Sequence, residues 1–147
     1  MVKINSKSLI IAIIFGVDSW FWSFFIVGRV FIDFETGDQI KSPNFTFYAI
    51  LLILNVIISL FFFTIYLWKY ERENPIIIDR WALDAIIFGC IISGMRFFLD
   101  CLVFGLIFSF NLRLYFWIKS LSGYIYPAII FEILILAYFI YRKKNDR

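Results

Sequence analysis

The chain has 147 residues with a net charge of +3; 63% are hydrophobic, 22% aromatic and only 17% charged, and twenty are Phe. An ordinary soluble domain carries about 25% charged and about 45–50% apolar residues, so a water-solvated globule is the reading this composition excludes first. The basic residues form no extended patch interleaved with aromatics, which leaves nucleic acid out as a partner and makes the lipid bilayer the expected one.

Four apolar stretches follow one another: Leu9 to Phe31, Phe45 to Trp68, Leu83 to Phe110 and roughly Ile118 to Tyr141. Each reaches the ~20 residues that cross about 30 Å of hydrocarbon at ~1.5 Å per residue. The predicted fold is therefore all-α, a four-helix transmembrane bundle in a single domain spanning 1–147. Lys3 and Lys7 before the first stretch resemble a signal-peptide start. The apolar run is too long for one and lacks a small-x-small cleavage site, so it is expected to stay as an anchor.

Residues 12–31 read AIIFGVDSWFWSFFIVGRVF and residues 85–104 read AIIFGCIISGMRFFLDCLVF, identical at nine of twenty positions at a constant offset of 73. This internal repeat predicts two tandem parallel-repeat helical hairpins, 1–73 and 74–147, entering the membrane in the same direction. The first outer loop, IDFETGDQIKSPN, is acidic and carries Gly37 and Pro43. Its Asn44-Phe45-Thr46 matches a glycosylation sequon.

Between the hairpins, residues 69–81 (KYERENPIIIDRW) read as a charged connection broken by Pro75. Counting basic residues, nine (Lys3, Lys7, Lys69, Arg72, Arg80, Arg142, Lys143, Lys144, Arg147) lie on one side against four (Arg29, Lys41, Arg113, Lys119) on the other. That imbalance predicts cytoplasmic N- and C-termini in a plasma-membrane protein. Trp68, Trp81, Tyr115, Trp117 and Tyr141 fall near span ends, where amphipathic rings favour the headgroup region; Trp20 and Trp22 lie mid-span, where helix packing is the expected role.

The third stretch holds the most informative pattern. At about 100° per residue, Ala82, Ala85, Gly89, Ser93, Arg96, Asp100 and Val103 share one stripe. Small Gly89 and Ser93 suit close helix packing, so this stripe is expected to face the bundle interior. Arg96 and Asp100, four residues apart, are within pairing reach along the helix, although the cation-first order is the weaker orientation.

Asp18, Asn55 and Glu132 reach similar depth in the other three stretches, which makes Asp18, Asn55, Arg96, Asp100 and Glu132 the candidate polar intramembrane site. Ionised side chains at a bilayer centre cost roughly 2.5–3.5 kcal/mol each, so four unpaired ones would cost on the order of 10–14 kcal/mol. Three carboxyls against one guanidinium leave a formal −2 when all are ionised, an excess of acid that a simple salt bridge does not explain. Pro127, one turn before Glu132, removes a backbone donor and is expected to kink the fourth helix.

Cys90 and Cys101 are about 16 Å apart along one helix, beyond disulfide reach, and are expected as buried free thiols. With no His in the chain, neither a metal site nor a cofactor is expected. HExxH, GxSxG, CxxC, GxGD and glycine-rich phosphate loops are all absent, so no residue is assigned a catalytic role.

The run from Gly89-x3-Ser93 to Phe98-Leu99-Asp100, together with Tyr124-x-Tyr126-Pro127-Ala128-Ile129-Ile130, resembles a class of small four-span integral membrane proteins of bacteria and archaea for which no activity is established. The resemblance implies a four-helix membrane fold. The reading this supports is a small polytopic protein handling a proton, cation or small polar solute, within a homo-oligomer. The alternative is a scaffold or accessory subunit with a membrane-protein partner, in which the polar centre fixes helix register.

Overall fold

The computed structural model describes residues 6–25, 33, 45–73, 80–109, 111–114, 117 and 122–145. The described chain is all-α, with four long helices: α1, Ser6–Ser23; α2, Phe45–Glu73; α3, Trp81–Asp100; and α4, Ile125–Asn145. α3 passes without a break into a π-helical segment, Cys101–Ile107, followed by a single helical turn at Leu112–Leu114.

Two segments are long and apolar enough to cross a membrane, Ile53–Glu73 and Trp81–Ile107, and Ile125–Tyr141 is a shorter apolar helix. Large apolar side chains lie exposed on all four helices, among them Ile10 and Ile14 on α1, Ile53 and Phe61 on α2, Phe97 and Phe98 on α3, and Phe131 and Phe139 on α4. Contiguous exposed apolar surface of this kind is what a lipid or protein partner covers. Inside, Ala12, Phe15, Phe63, Leu67, Ala85, Phe88, Ile92, Ile133 and Ala137 form one core.

Helix boundaries depart from the sequence reading in two places, each for a local reason. The charged stretch read as a connection begins as helix: α2 continues through Lys69–Glu73, because Lys, Glu and Arg are good helix formers. α4 starts at Ile125 after a 3₁₀ turn at Ser122–Tyr124, so Pro127 falls in its first turn. A proline there gives up an N–H that has no intrahelical acceptor anyway, so the expected kink gives way to a helix start. Phe31, Asn44, Pro75 and Tyr115, with most of the first outer loop, lie outside the described residues.

α3 packs most extensively against α4 and α1, whereas α2 contacts α1 and α4 less. Glycine sets the closest approaches. A Cβ at Gly16 would lie 2.6 Å from the Met95 Cβ, and one at Gly89 would lie 3.2 Å from the Ile130 Cα. Either helix pair would have to move apart to admit a side chain. Of the predicted inner stripe, Ala85, Gly89, Ser93 and Arg96 are buried and Ala82, Asp100 and Val103 half-buried, while Cys90 and Gly94 sit on the exposed side. Both cysteines are free, but Cys90 is exposed and Cys101 half-buried, which corrects their expected burial: Cys90 lies one residue off the inner stripe, a rotation of about 100°.

Three contacts join residues separated by 73 positions. Phe15 meets Phe88 edge to face with centroids 6.4 Å apart, Arg96 donates to Ser23, and Ser59 donates to Glu132. In each pair, residues that correspond in the offset-73 alignment point toward one another. A simple translation of one hairpin onto the other would turn them the same way and keep them apart.

Candidate functional site

Asp100 closes the inner stripe of α3, at the point where the α-helix gives way to the π-segment. Its two oxygens are each taken: Trp20 Nε1 of α1 donates to Oδ1 at 2.7 Å, and the Tyr126 hydroxyl of α4 donates to Oδ2 at 2.6 Å. The carboxylate therefore ties three helices together. Ser93, two turns earlier on the same stripe, donates to the Tyr126 carbonyl at 3.0 Å and fixes α4 at the same level. Widened π turns recur where a helix must re-aim a side chain at a functional position.

Arg96, one turn below Asp100, is 5% exposed. Its Nη2 donates to Ser23 Oγ at 2.8 Å, its guanidinium carbon lies 5.9 Å from the centre of the Trp22 ring, and its Nε is buried with no partner. The pairing with Asp100 that their spacing allows does not form, since no ion pair joins them. The reason is competition: each side chain is drawn across to α1, the carboxylate by the Trp20 indole and the guanidinium by the Ser23 hydroxyl. The ionisable groups within electrostatic reach of Arg96 are Asp100 on its own helix and Tyr126 and Glu132 on α4.

Glu132 accepts from Ser59 of α2 at 2.5 Å. Asp18 accepts from the Tyr66 hydroxyl, whose ring stacks on Phe15 with centroids 4.0 Å apart. Asn55 lies one turn from Ser59 on α2, and its Oδ1 is buried without a donor.

The five residues singled out from the sequence thus divide among three helix junctions. Asp100 and Arg96 share the α1–α3–α4 junction, Glu132 joins α4 to α2 through Ser59, with Asn55 one turn away on α2, and Asp18 stands apart at α1–α2. Depth alone did not separate them, but rotation does. Asp18 is about 200° around α1 from Trp20 and about 140° from Ser23, so it turns to α2 while they turn to α3. Gly89 lies where α4 approaches at Ile130, and Ser93 bonds the same helix at the Tyr126 carbonyl.

What the sequence reading missed are the donors. Beside Ser23, which accepts from the Arg96 guanidinium, Trp20, Ser59, Tyr66 and Tyr126 donate to the buried carboxylates, and packing alone is the role the sequence suggests for Trp20. The available signal was one of bookkeeping: a buried carboxylate needs donors, and these residues are the indole, phenol and hydroxyl donors the apolar stretches carry. Among the described residues no group of three or more Cys, Asp or Glu converges as a metal-ligand set. No family model, no curated protein and no solved structure matches the chain.

Proposed function

We propose that the chain is a four-span integral membrane protein of the plasma membrane, with both termini cytoplasmic, that handles a proton, cation or small polar solute through its central acids and Arg96. The observation that carries this reading is Arg96 itself. A guanidinium has five donors. Here it is buried, one donor reaches a neutral serine, Nε has no partner, and the nearest acids are occupied by other donors. A residue serving helix packing alone would be expected to have its charge neutralised by those acids, because an uncompensated buried charge is expensive.

The four-span arrangement draws support from two membrane-length segments, a shorter apolar helix and the exposed apolar faces of all four helices. Duplication of a hairpin draws support from the three offset-73 contacts, which are those expected if residues near a two-fold axis meet their own counterparts. Membership of the class of small four-span proteins that the α3 and α4 motifs resemble fits the same architecture, as does assembly into an oligomer.

Flux in proteoliposomes tests the function. Wild-type vesicles should conduct protons or a small solute, and Arg96→Gln, Asp100→Asn and Glu132→Gln should each reduce that flux. Wild-type and variant vesicles that leak identically over a panel of ions and solutes would sink the idea.

A scaffold role is favoured by a different observation: Asp18, Asp100 and Glu132 each accept a hydrogen bond from another helix, which is how polar residues lock register in a bundle. Crosslinking in native membranes separates the two readings, a stoichiometric membrane-protein partner supporting the scaffold and its absence supporting the polar site.

A further inference from the structure

Two acceptors compete for one hydrogen at Ser59. Its Oγ stands 2.8 Å from the Val56 carbonyl oxygen on the same helix and 2.5 Å from Glu132 Oε1 on α4. Both are hydrogen-bond distances, but a hydroxyl has a single hydrogen and two lone pairs. A single hydrogen shared between the two acceptors leaves each bond weakened, whereas both contacts are full hydrogen bonds when the second hydrogen comes from Glu132. The carboxylic acid then donates to Ser59, and Ser59 donates to Val56. With Glu132 ionised, the hydroxyl turns to the carboxylate, the stronger acceptor, and the Val56 carbonyl reverts to its ordinary place in the helix.

We propose that Glu132 is a proton-exchange site, with Ser59 as the hydroxyl that satisfies both of its protonation states without movement of either helix. This rests on the polar-site reading above and names its ligand as the proton. On protonation an O–H bond forms at Glu132 and none breaks at Ser59, whose hydrogen only rotates from Oε1 toward Val56. The ionisable group whose charge reaches Glu132 is Arg96 of α3; α2 faces it with the Ser59 hydroxyl, and among the described residues no titratable group of α1 acts on it. Arg96 supplies fixed positive charge when the proton leaves. One turn before Ser59 on the same side of α2, Asn55 keeps a buried acceptor oxygen that has no donor.

Infrared difference spectroscopy of the full-length protein in phosphatidylcholine–phosphatidylglycerol vesicles, titrated with pH, tests the site directly. A protonated-carboxyl stretching band should rise on acidification and be lost in Glu132→Gln. It should move to higher frequency in Ser59→Ala, where the hydrogen bond to the hydroxyl is gone, and stay in place in Ser59→Thr, which keeps the hydroxyl. A band unchanged by Glu132→Gln, or unmoved by Ser59→Ala, overturns the proposal. Should Ser59→Ala fail to fold, the wild type and Glu132→Gln decide alone, since identical titrations of the two also overturn it. Proton flux is read separately in the same vesicles: a titrating Glu132 band without flux supports the exchange site while removing transport, and flux without a Glu132 band overturns the exchange site.

Discussion

Asp100 and Glu132 are both carboxylates on inward faces of neighbouring helices, and they are held in opposite ways. Asp100 has a separate donor for each oxygen, an indole and a phenol, brought by two different helices. Glu132 has one hydroxyl, which it shares with a backbone carbonyl. The indole can only donate, so Asp100 must always present it a lone pair on Oδ1, and a proton could sit only on Oδ2, where it would cost the bond that Tyr126 donates from α4. The Ser59 hydroxyl both donates and accepts, so it serves Glu132 in either state. The difference separates a carboxylate that fastens helices from one that is free to exchange, and the two readings of function fall on different residues of what the sequence presents as one polar centre.

The largest test of this contrast is a charge swap, Arg96→Asp combined with Asp100→Arg. Were the two residues serving each other, reversal along the helix would restore most of what either single change removes. The structure sets the new guanidinium against the Trp20 indole, donor to donor, and we expect the double variant to melt no higher than the worse single variant. The loss should be about 3–5 kcal/mol, the usual consequence of leaving a buried charge uncompensated. Melting curves in detergent of the wild type, both single variants and the swap check this, and recovery of most of the lost melting temperature would return the pair to local helix packing.

Deleting the two carboxylates one at a time sharpens the comparison. Asp100→Leu strands the Trp20 and Tyr126 donors at about 1–3 kcal/mol each, for a loss of roughly 2–6 kcal/mol. Glu132→Leu strands no donor, because the Ser59 hydroxyl keeps the Val56 carbonyl, and should fall below that range. Equal losses in reversible unfolding from mixed micelles would erase the distinction between fastener and exchanger.

How much of this was legible in the sequence follows from what a one-dimensional pattern encodes. Apolar run length located the helices, and the stripe of Ala85, Gly89, Ser93 and Arg96 on α3 came out on the buried side because its rotation is contained in the spacing. The rotation of one helix relative to another is not contained there. Asp18, at the right depth, therefore seemed to belong with Arg96, although it faces α2. Trp20 and Tyr126 could not be joined to Asp100 until α1 and α4 were placed on either side of α3. Pro127 reads as a kink rather than a first-turn residue because a helix start inside an apolar run leaves no change in hydrophobicity to mark it.

Close packing offers a smaller effect that isolates the frame from the charges. Gly16→Ala places a methyl 2.6 Å from the Met95 Cβ, where no side-chain tip can swing away, and should cost about 1–3 kcal/mol by forcing α1 from α3. Gly94→Ala meets nothing within 4 Å and should be neutral or slightly stabilising. If Gly16→Ala also loosens the Trp20–Asp100 bond, Trp fluorescence will shift in that variant and not in Gly94→Ala.

The smallest effect belongs to Ser59, and its contrast with Ser23, the other serine that meets its offset-73 counterpart, follows from what each one holds. Ser23 is the protein acceptor of a buried guanidinium, and a hydrogen bond to a charged group contributes about 1.5–3 kcal/mol, so Ser23→Ala should show in the melting temperature. Ser59 contributes one interhelical bond of about 0.6 kcal/mol on the membrane scale, and its removal leaves the Val56 carbonyl with its helical partner. Ser59→Ala should therefore alter stability barely above measurement error while changing how Glu132 holds its proton. A Ser59→Ala variant as destabilised as Ser23→Ala would mean that Glu132, like Asp100, is fastened to its helix neighbour, and the contrast between the two carboxylates would fail at the residue on which it rests.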